Sequence, residues 1–175
     1  PDILKKYISL GFEVNLIKNY ALHLGIRDEQ YEAEGAKIIS DELEIINNSN
    51  AILQLNIINN SNLDKLKENQ VLIGVLNPFS NKEKLNKVSL KKVNCFSLEL
   101  LPRITRAQSM DILSSQANLA GYKAVIDSFA YFQKAIPMMM TAAGTISAAK
   151  VLVVGAGVAG LQAIATAKRM GAIVF

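Results

Sequence analysis

The segment Val151-Leu152-Val153-Val154-Gly155-Ala156-Gly157-Val158-Ala159-Gly160 constrains this chain more than any other. Four apolar, mostly β-branched residues read as a strand, and they run directly into a turn of the form G-x-G-x-x-G. Leu161 to Met170 has the pattern of a helix, Gly171 can cap it, and Ala172-Ile173-Val174-Phe175 begins another strand. A bare G-x-G-x-x-G is weak evidence, but in strand–turn–helix–strand order it predicts the opening of a dinucleotide-binding sheet. Gly155 permits the tight turn. Gly157 lets the backbone approach a pyrophosphate where a Cβ would collide, and Gly160 lets the helix lie close to the strand. The free N–H groups at the helix start, over Val158, Ala159 and Gly160, then face the phosphates with partial positive charge. Dinucleotide binding is preferred over a glycine-rich turn that holds no ligand. The acidic residue that separates NAD from NADP is expected about 20 residues into such a unit. That position falls at or beyond Phe175, so this test does not decide between the two.

Upstream, short apolar runs recur between polar, helix-like stretches. Phe12 to Ile17, Ala51 to Leu55, Val71 to Leu76 and Val93 to Leu98 read as strands. Asp2 to Leu10, Asp28 to Ala36, Asp41 to Ile46, Leu63 to Glu68 and Lys82 to Leu90 read as helices. This alternation predicts βαβ units and an α/β fold with parallel sheets. The strands are nearly all apolar, as expected where helices cover both faces. The hexapeptide Ile-Ile-Asn-Asn-Ser-Asn occurs at 45–50 and again at 57–62. The period is too short for a structural repeat, and turn chemistry explains both copies.

Composition excludes several function classes. Half of the 175 residues are hydrophobic, which supplies a core and argues against disorder. The net charge of +4 comes from scattered lysines, there is no Trp, and no basic block is interleaved with aromatics, so nucleic acid is not expected as a partner. A single cysteine, Cys95, rules out an internal disulfide and a multi-cysteine zinc site, and no metal site is expected. Cys95 reads as a small buried hydrophobe in a strand. Its pairing with the one histidine, His23, for nucleophilic catalysis has little support. Residues 135–167 are apolar, but Lys150, several glycines and Gln162 interrupt them, so a membrane span is not the preferred reading.

A second constellation lies at Pro102-Arg103-Ile104-Thr105-Arg106-Ala107-Gln108-Ser109-Met110-Asp111. It leads into a long helix predicted from Ser109 to about Ala135, with Leu113, Ala117, Ala120 and Ala124 as its apolar stripe. On the opposite face Asp111, Ser114, Ser115 and Asn118 fall together. Two readings fit: a ligand-facing polar cluster, or a helix capped by Ser109 and favoured by Asp111, with a solvated arginine loop. Gly121 inside this helix predicts either close packing or a bend.

Over residues 98–175, Leu101 to Asp111, Leu113 to Tyr122, Met138 to Thr145 and Gly155 to Gly160 closely resemble the NAD(H)-binding component of proton-translocating NAD(P) transhydrogenase, alpha subunit. Alanine dehydrogenases share that fold and family. Residues 1–97 are similar more loosely, through Leu10 to Val14 and Glu34 to Ile38. The resemblance implies two Rossmann-like parallel-sheet domains, the second present only as its opening β-α-β. The expected division is 1–117, first domain without its first strand; 118–146, interdomain helix and connection; 147–175, start of the NAD-binding domain. It also implies NAD(H) in a cleft and direct hydride transfer to NADP(H) on a partner component. The remaining partners it implies are the membrane components of the beta subunit and a second copy in a homodimer, at the cytoplasmic face of the inner membrane. Arg103, Gln108 and Asp111 match the family's loop that positions the nicotinamide, with Ser114 beside them. Such a transfer needs no acid–base group; distance, orientation and water exclusion suffice.

The sequence also departs from the pattern. Asn19-Tyr20-Ala21 stands where the family has Gly-Ala-Gly. Gln54 and Asn77 stand near the lysine and histidine positions of alanine dehydrogenases, which argues against amino-acid oxidation. The chain reads as incomplete at both ends, so a truncated, catalytically inactive remnant is the further alternative.

Overall fold

Short apolar runs bounded by turn residues form short parallel strands here. The computed structural model covers residues 1–175 and describes every side chain apart from that of Asn60. The chain divides into two compact units, Pro1–Leu100 and Leu101–Phe175.

In the first unit helices and strands alternate: α1 (Asp2–Ser9), β1 (Asn15–Ile17), α2 (Asp28–Glu32), β2 (Lys37–Ile39), α3 (Glu42–Asn48), β3 (Ala51–Asn56), α4 (Asn60–Leu63), β4 (Val71–Val75), α5 (Lys82–Leu90) and β5 (Asn94–Ser97). β1 pairs with β2, and β3, β4 and β5 lie side by side in that order, all parallel. Strand β2 is an addition to the pattern read from sequence: three residues after a turn carry too little periodicity to stand out. The fourth helix comes earlier than expected, at Asn60–Leu63 rather than Leu63 to Glu68. The first Ile-Ile-Asn-Asn-Ser-Asn copy is helical through Asn48, in the last turn of α3.

Alternate strand residues point to opposite faces. Ile52 and Leu72, paired in register, join Ile46, Leu63, Leu76 and Val88 in the main core, so helices α3, α4 and α5 cover this face. On the other face Leu53 and Phe96, both in register with Ile73, remain exposed, as does Leu55. The expectation of two covered faces therefore holds for one face only. Cys95 is exposed as well, which corrects its reading as a buried hydrophobe. Its strand, β5, pairs on one side only and forms an edge of the sheet.

The turn after β1 forms without glycine. Asn19 takes the left-handed conformation at φ 62°, which asparagine tolerates better than other non-glycine residues. Its N–H donates to both carboxylate oxygens of Asp28, at 3.0 and 2.9 Å, and Ala21 beyond it is buried.

The second unit holds α6 (Ile112–Tyr131), the hairpin β6 (Met139–Thr141) and β7 (Gly144–Ile146), β8 (Lys150–Val151), α7 (Val158–Arg169) and β9 (Ile173–Val174). β8 and β9 pair in parallel, joined by α7. Hydrogen bonding continues one step past β8, from the Val153 N–H to the Phe175 carbonyl at 2.9 Å. This is the β-α-β opening read from the glycine motif. No helix among the described residues is long and apolar enough to cross a membrane.

Leu72 is fully buried on the central strand of the larger sheet. Replacing it with alanine removes three carbons and leaves a cavity, so Leu72→Ala is expected to lower unfolding stability by about 2–5 kcal/mol. Urea unfolding of the two proteins measures this, and a loss below about 1 kcal/mol contradicts the placement of the core.

Candidate functional site

The turn between β8 and α7 is built by what its glycines lack. Gly155 sits at φ 106°, a region that side chains rarely enter. A Cβ on Gly160 would lie 2.0 Å from the Gly155 carbonyl oxygen, so only glycine lets the helix fold back onto its own turn. Gly157 is the N-cap of α7, and the space where its Cβ would stand is open. The cap residue offers no side-chain hydrogen bond, and the first turn of α7 carries no acidic residue. The amides of Val158, Ala159 and Gly160 have no intrahelical acceptor, as at every helix start. Twelve residues of helix add a positive end to these amides. Open space over an uncapped helix start is what a diphosphate requires, so these residues fit the group that the motif implies.

Helix α6 carries the second constellation at its N-terminus. It starts at Ile112, because Thr105–Met110 winds into a 3-10 turn instead of the first α-helical turn. Asp111, not Ser109, is the cap. Its carboxylate accepts the Ser114 N–H at 3.0 Å and the Ser114 hydroxyl at 2.7 Å. The Ser114 hydroxyl and amide hold this carboxyl below its usual range. Partial burial pushes the other way, and the Arg103 guanidinium adds to the lowering. The structure thus brings together Arg103, Asp111 and Ser114. Arg103, Arg106 and Gln108 are exposed, and among the described residues the side chains of Arg103 and Gln108 make no hydrogen bond or ion pair within the protein.

The stripe of α6 is rotated from the one read in the sequence. Gly121 and Val125 are buried, while Leu113, Ala120 and Ala124 are exposed. Ser114 and Ala117, half-buried, continue the buried stripe by three- and four-residue spacing. The polar residue Ser114 therefore shares the packed side of the helix, in place of the opposite one. Alanines all around a helix leave its phase undecided, and the partner helix decides it. Gly121 resolves to close packing: its missing Cβ would lie 2.1 Å from the Ala159 carbonyl oxygen in α7.

In the first unit, Gln54 and Asn77 lie at the carboxyl ends of β3 and β4. The Asn77 N–H donates to Glu99, a carboxylate that the sequence does not single out. A lone glutamate after an apolar strand carries no signal of its own. Burial pushes the Glu99 carboxyl up, but N–H groups from its own backbone, Asn77 and Leu76 outweigh it and hold the carboxyl low. Partial burial raises the Cys95 thiol, the opposite of an activated nucleophile. His23 lies in the 3-10 turn Leu22–Leu24. No cluster of three or more metal-ligating side chains occurs among the described residues.

Comparison with known proteins places this geometry in a family. Residues 1–120 match the model described as alanine dehydrogenase/PNT, N-terminal domain, and residues 124–175 match the corresponding C-terminal domain. The chain is 47% identical over 178 residues to an NAD(P) transhydrogenase subunit alpha protein of Rickettsia prowazekii, covering 99% of this chain and 46% of that protein. Among solved structures, the transhydrogenase from Sinorhizobium meliloti superposes with a TM-score of 0.93 at 46% identity, over 99% of this chain and 52% of that one. An L-alanine dehydrogenase structure shares the fold, with a TM-score of 0.82 at 18% identity, over 98% of this chain and 48% of that one. The chain spans about half the length of the curated relatives it matches.

The lowered Asp111 carboxyl stabilises the folded chain at pH values above the ordinary carboxylate range, and this contribution fades as pH falls through its folded value, below about 4. Asp111→Asn keeps a capping oxygen and removes the charge. Its urea midpoint is expected below that of the native protein at neutral pH, with the difference shrinking toward about pH 3. A difference that does not change with pH contradicts the charged cap.

Proposed function

The chain belongs to the alanine dehydrogenase/PNT family, and from that premise we propose that it is the NAD(H)-binding part of a proton-translocating NAD(P) transhydrogenase. The observation that carries the reading is the uncapped start of α7, opened by Gly155 and Gly157, on the same unit as the loop from Arg103 to Asp111. When bound, the nicotinamide supplies or accepts a hydride. The chain's own residues would then do three things. The amides of Val158, Ala159 and Gly160 hold the diphosphate through the helix end. Arg103 and Gln108, whose side chains are not engaged within the protein, orient the redox end and its partner cofactor. Asp111 and Ser114 keep the loop in place through the cap. Orientation is the main contribution, since transfer between two cofactors needs no general acid or base from the protein.

In this reading NADP(H) sits on a separate component, and the membrane-spanning beta subunit couples the transfer to proton movement. A dimer of the NAD(H) part sits at the cytoplasmic face of the inner membrane. The division into 1–117, 118–146 and 147–175 belongs to the same proposal. Gln54 and Asn77, near the keto-acid positions of alanine dehydrogenases, offer neither a cation nor a base and disfavour amino-acid oxidation.

The reading is tested by titrating NADH against the full-length protein and by assaying hydride transfer with its NADP(H)-binding component, beside an assay with pyruvate and ammonia. Arg103→Ala and Gln108→Ala are expected to slow single-turnover hydride transfer by on the order of 10–100-fold while weakening NADH binding much less. Unchanged transfer rates in both variants, or turnover of pyruvate with ammonia by the native protein, overturn the proposal.

A further inference from the structure

Helix α6 connects the two halves of the candidate site. Its N-cap is Asp111, in the loop with Arg103 and Gln108. Ten residues later, about 15 Å along the axis at the usual helical rise, Gly121 rests on the backbone of Ala159. Ala159 is the second residue of α7 and supplies one of the three amides over the glycine turn. A Cβ on Gly121 would lie 2.1 Å from the Ala159 carbonyl oxygen, 2.9 Å from its carbonyl carbon and 3.0 Å from its Cα. No flexible side chain stands there to give way. Adding one methyl would force one helix backbone away from the other by roughly 1 Å, since close-packed interiors leave no slack.

We propose that Gly121 is a positioning residue for NAD(H): it sets how closely α6 rests on the first turn of α7, and so holds the diphosphate amides at a fixed distance from the loop of Arg103, Gln108 and Asp111. This rests on the function proposed above. Val125, one turn further along the same buried stripe, supplies the contrast. It packs the same helix but lies farther along it from Asp111. A general packing role for α6 makes the two positions equivalent; a positioning role separates them.

The test uses the full-length protein, with NADH affinity read by fluorescence and stability by urea midpoint, for the native protein, Gly121→Ala and Val125→Ala. Gly121→Ala is expected to raise the NADH dissociation constant by about tenfold or more. Val125→Ala is expected to lower the urea midpoint while leaving that constant within about twofold. Equal loss of affinity in both variants, or an unchanged constant in Gly121→Ala, overturns the proposal. Absence of NADH binding by the native protein instead overturns the underlying functional reading. Hydrogen exchange on the native protein needs no variant. Added NADH is expected to slow exchange at residues 119–123 together with 158–161, and slowing confined to 158–161 contradicts the proposal.

Discussion

Backbone resting directly on backbone is the contact on which the second unit depends. The Gly155 carbonyl occupies the space beside Gly160, and the Ala159 carbonyl occupies the space beside Gly121. Side chains can change rotamer to relieve a clash; a carbonyl inside a turn or a helix cannot move without dragging its neighbours. Two absent methyl groups therefore determine how deeply α7 settles against its own turn and how closely α6 crosses it. The exposed first-turn amides of α7 follow from that placement, and so does the spacing between them and the start of α6.

Electrostatics then divides the labour within the loop. Asp111 is engaged inside the protein, with both carboxylate oxygens accepting from Ser114 and the Arg103 charge nearby. Arg103 and Gln108 are left exposed. A charged cap of this kind favours the helix start and resists fraying, which suits a loop that must present two long polar side chains in a defined direction. The first unit uses polar groups in the same way: the Asp28 carboxylate secures the Asn19 turn, and Glu99 ties the end of its strand to the amide of Asn77.

Asn19 shows why matching a motif by residue type can mislead. The turn after β1 needs a residue with positive φ, and glycine meets that need at least steric cost. Asparagine meets it too, provided its exposed amide finds an acceptor, and Asp28 nine residues later supplies one. The geometry survives the change of letters because the requirement lies in the backbone.

The α/β class, the parallel pairing and the β-α-β unit around Gly155 to Gly160 were legible from the chain alone. Strong local patterns carry them: short β-branched runs, glycine spacing and the alternation of strand and helix. The family likeness was legible for the same reason, since the loop from Arg103 to Asp111 is one unbroken string. Tertiary contact decided the rest. Which side of α6 is buried, Asp111 rather than Ser109 as its cap, the exposure of Leu53 and Phe96, and the meaning of Gly121 all depend on what lies across from each residue. An alanine-rich helix has almost the same apolarity in every direction, and a glycine reports only that a side chain is missing. Only a neighbouring backbone reveals what the missing side chain makes room for.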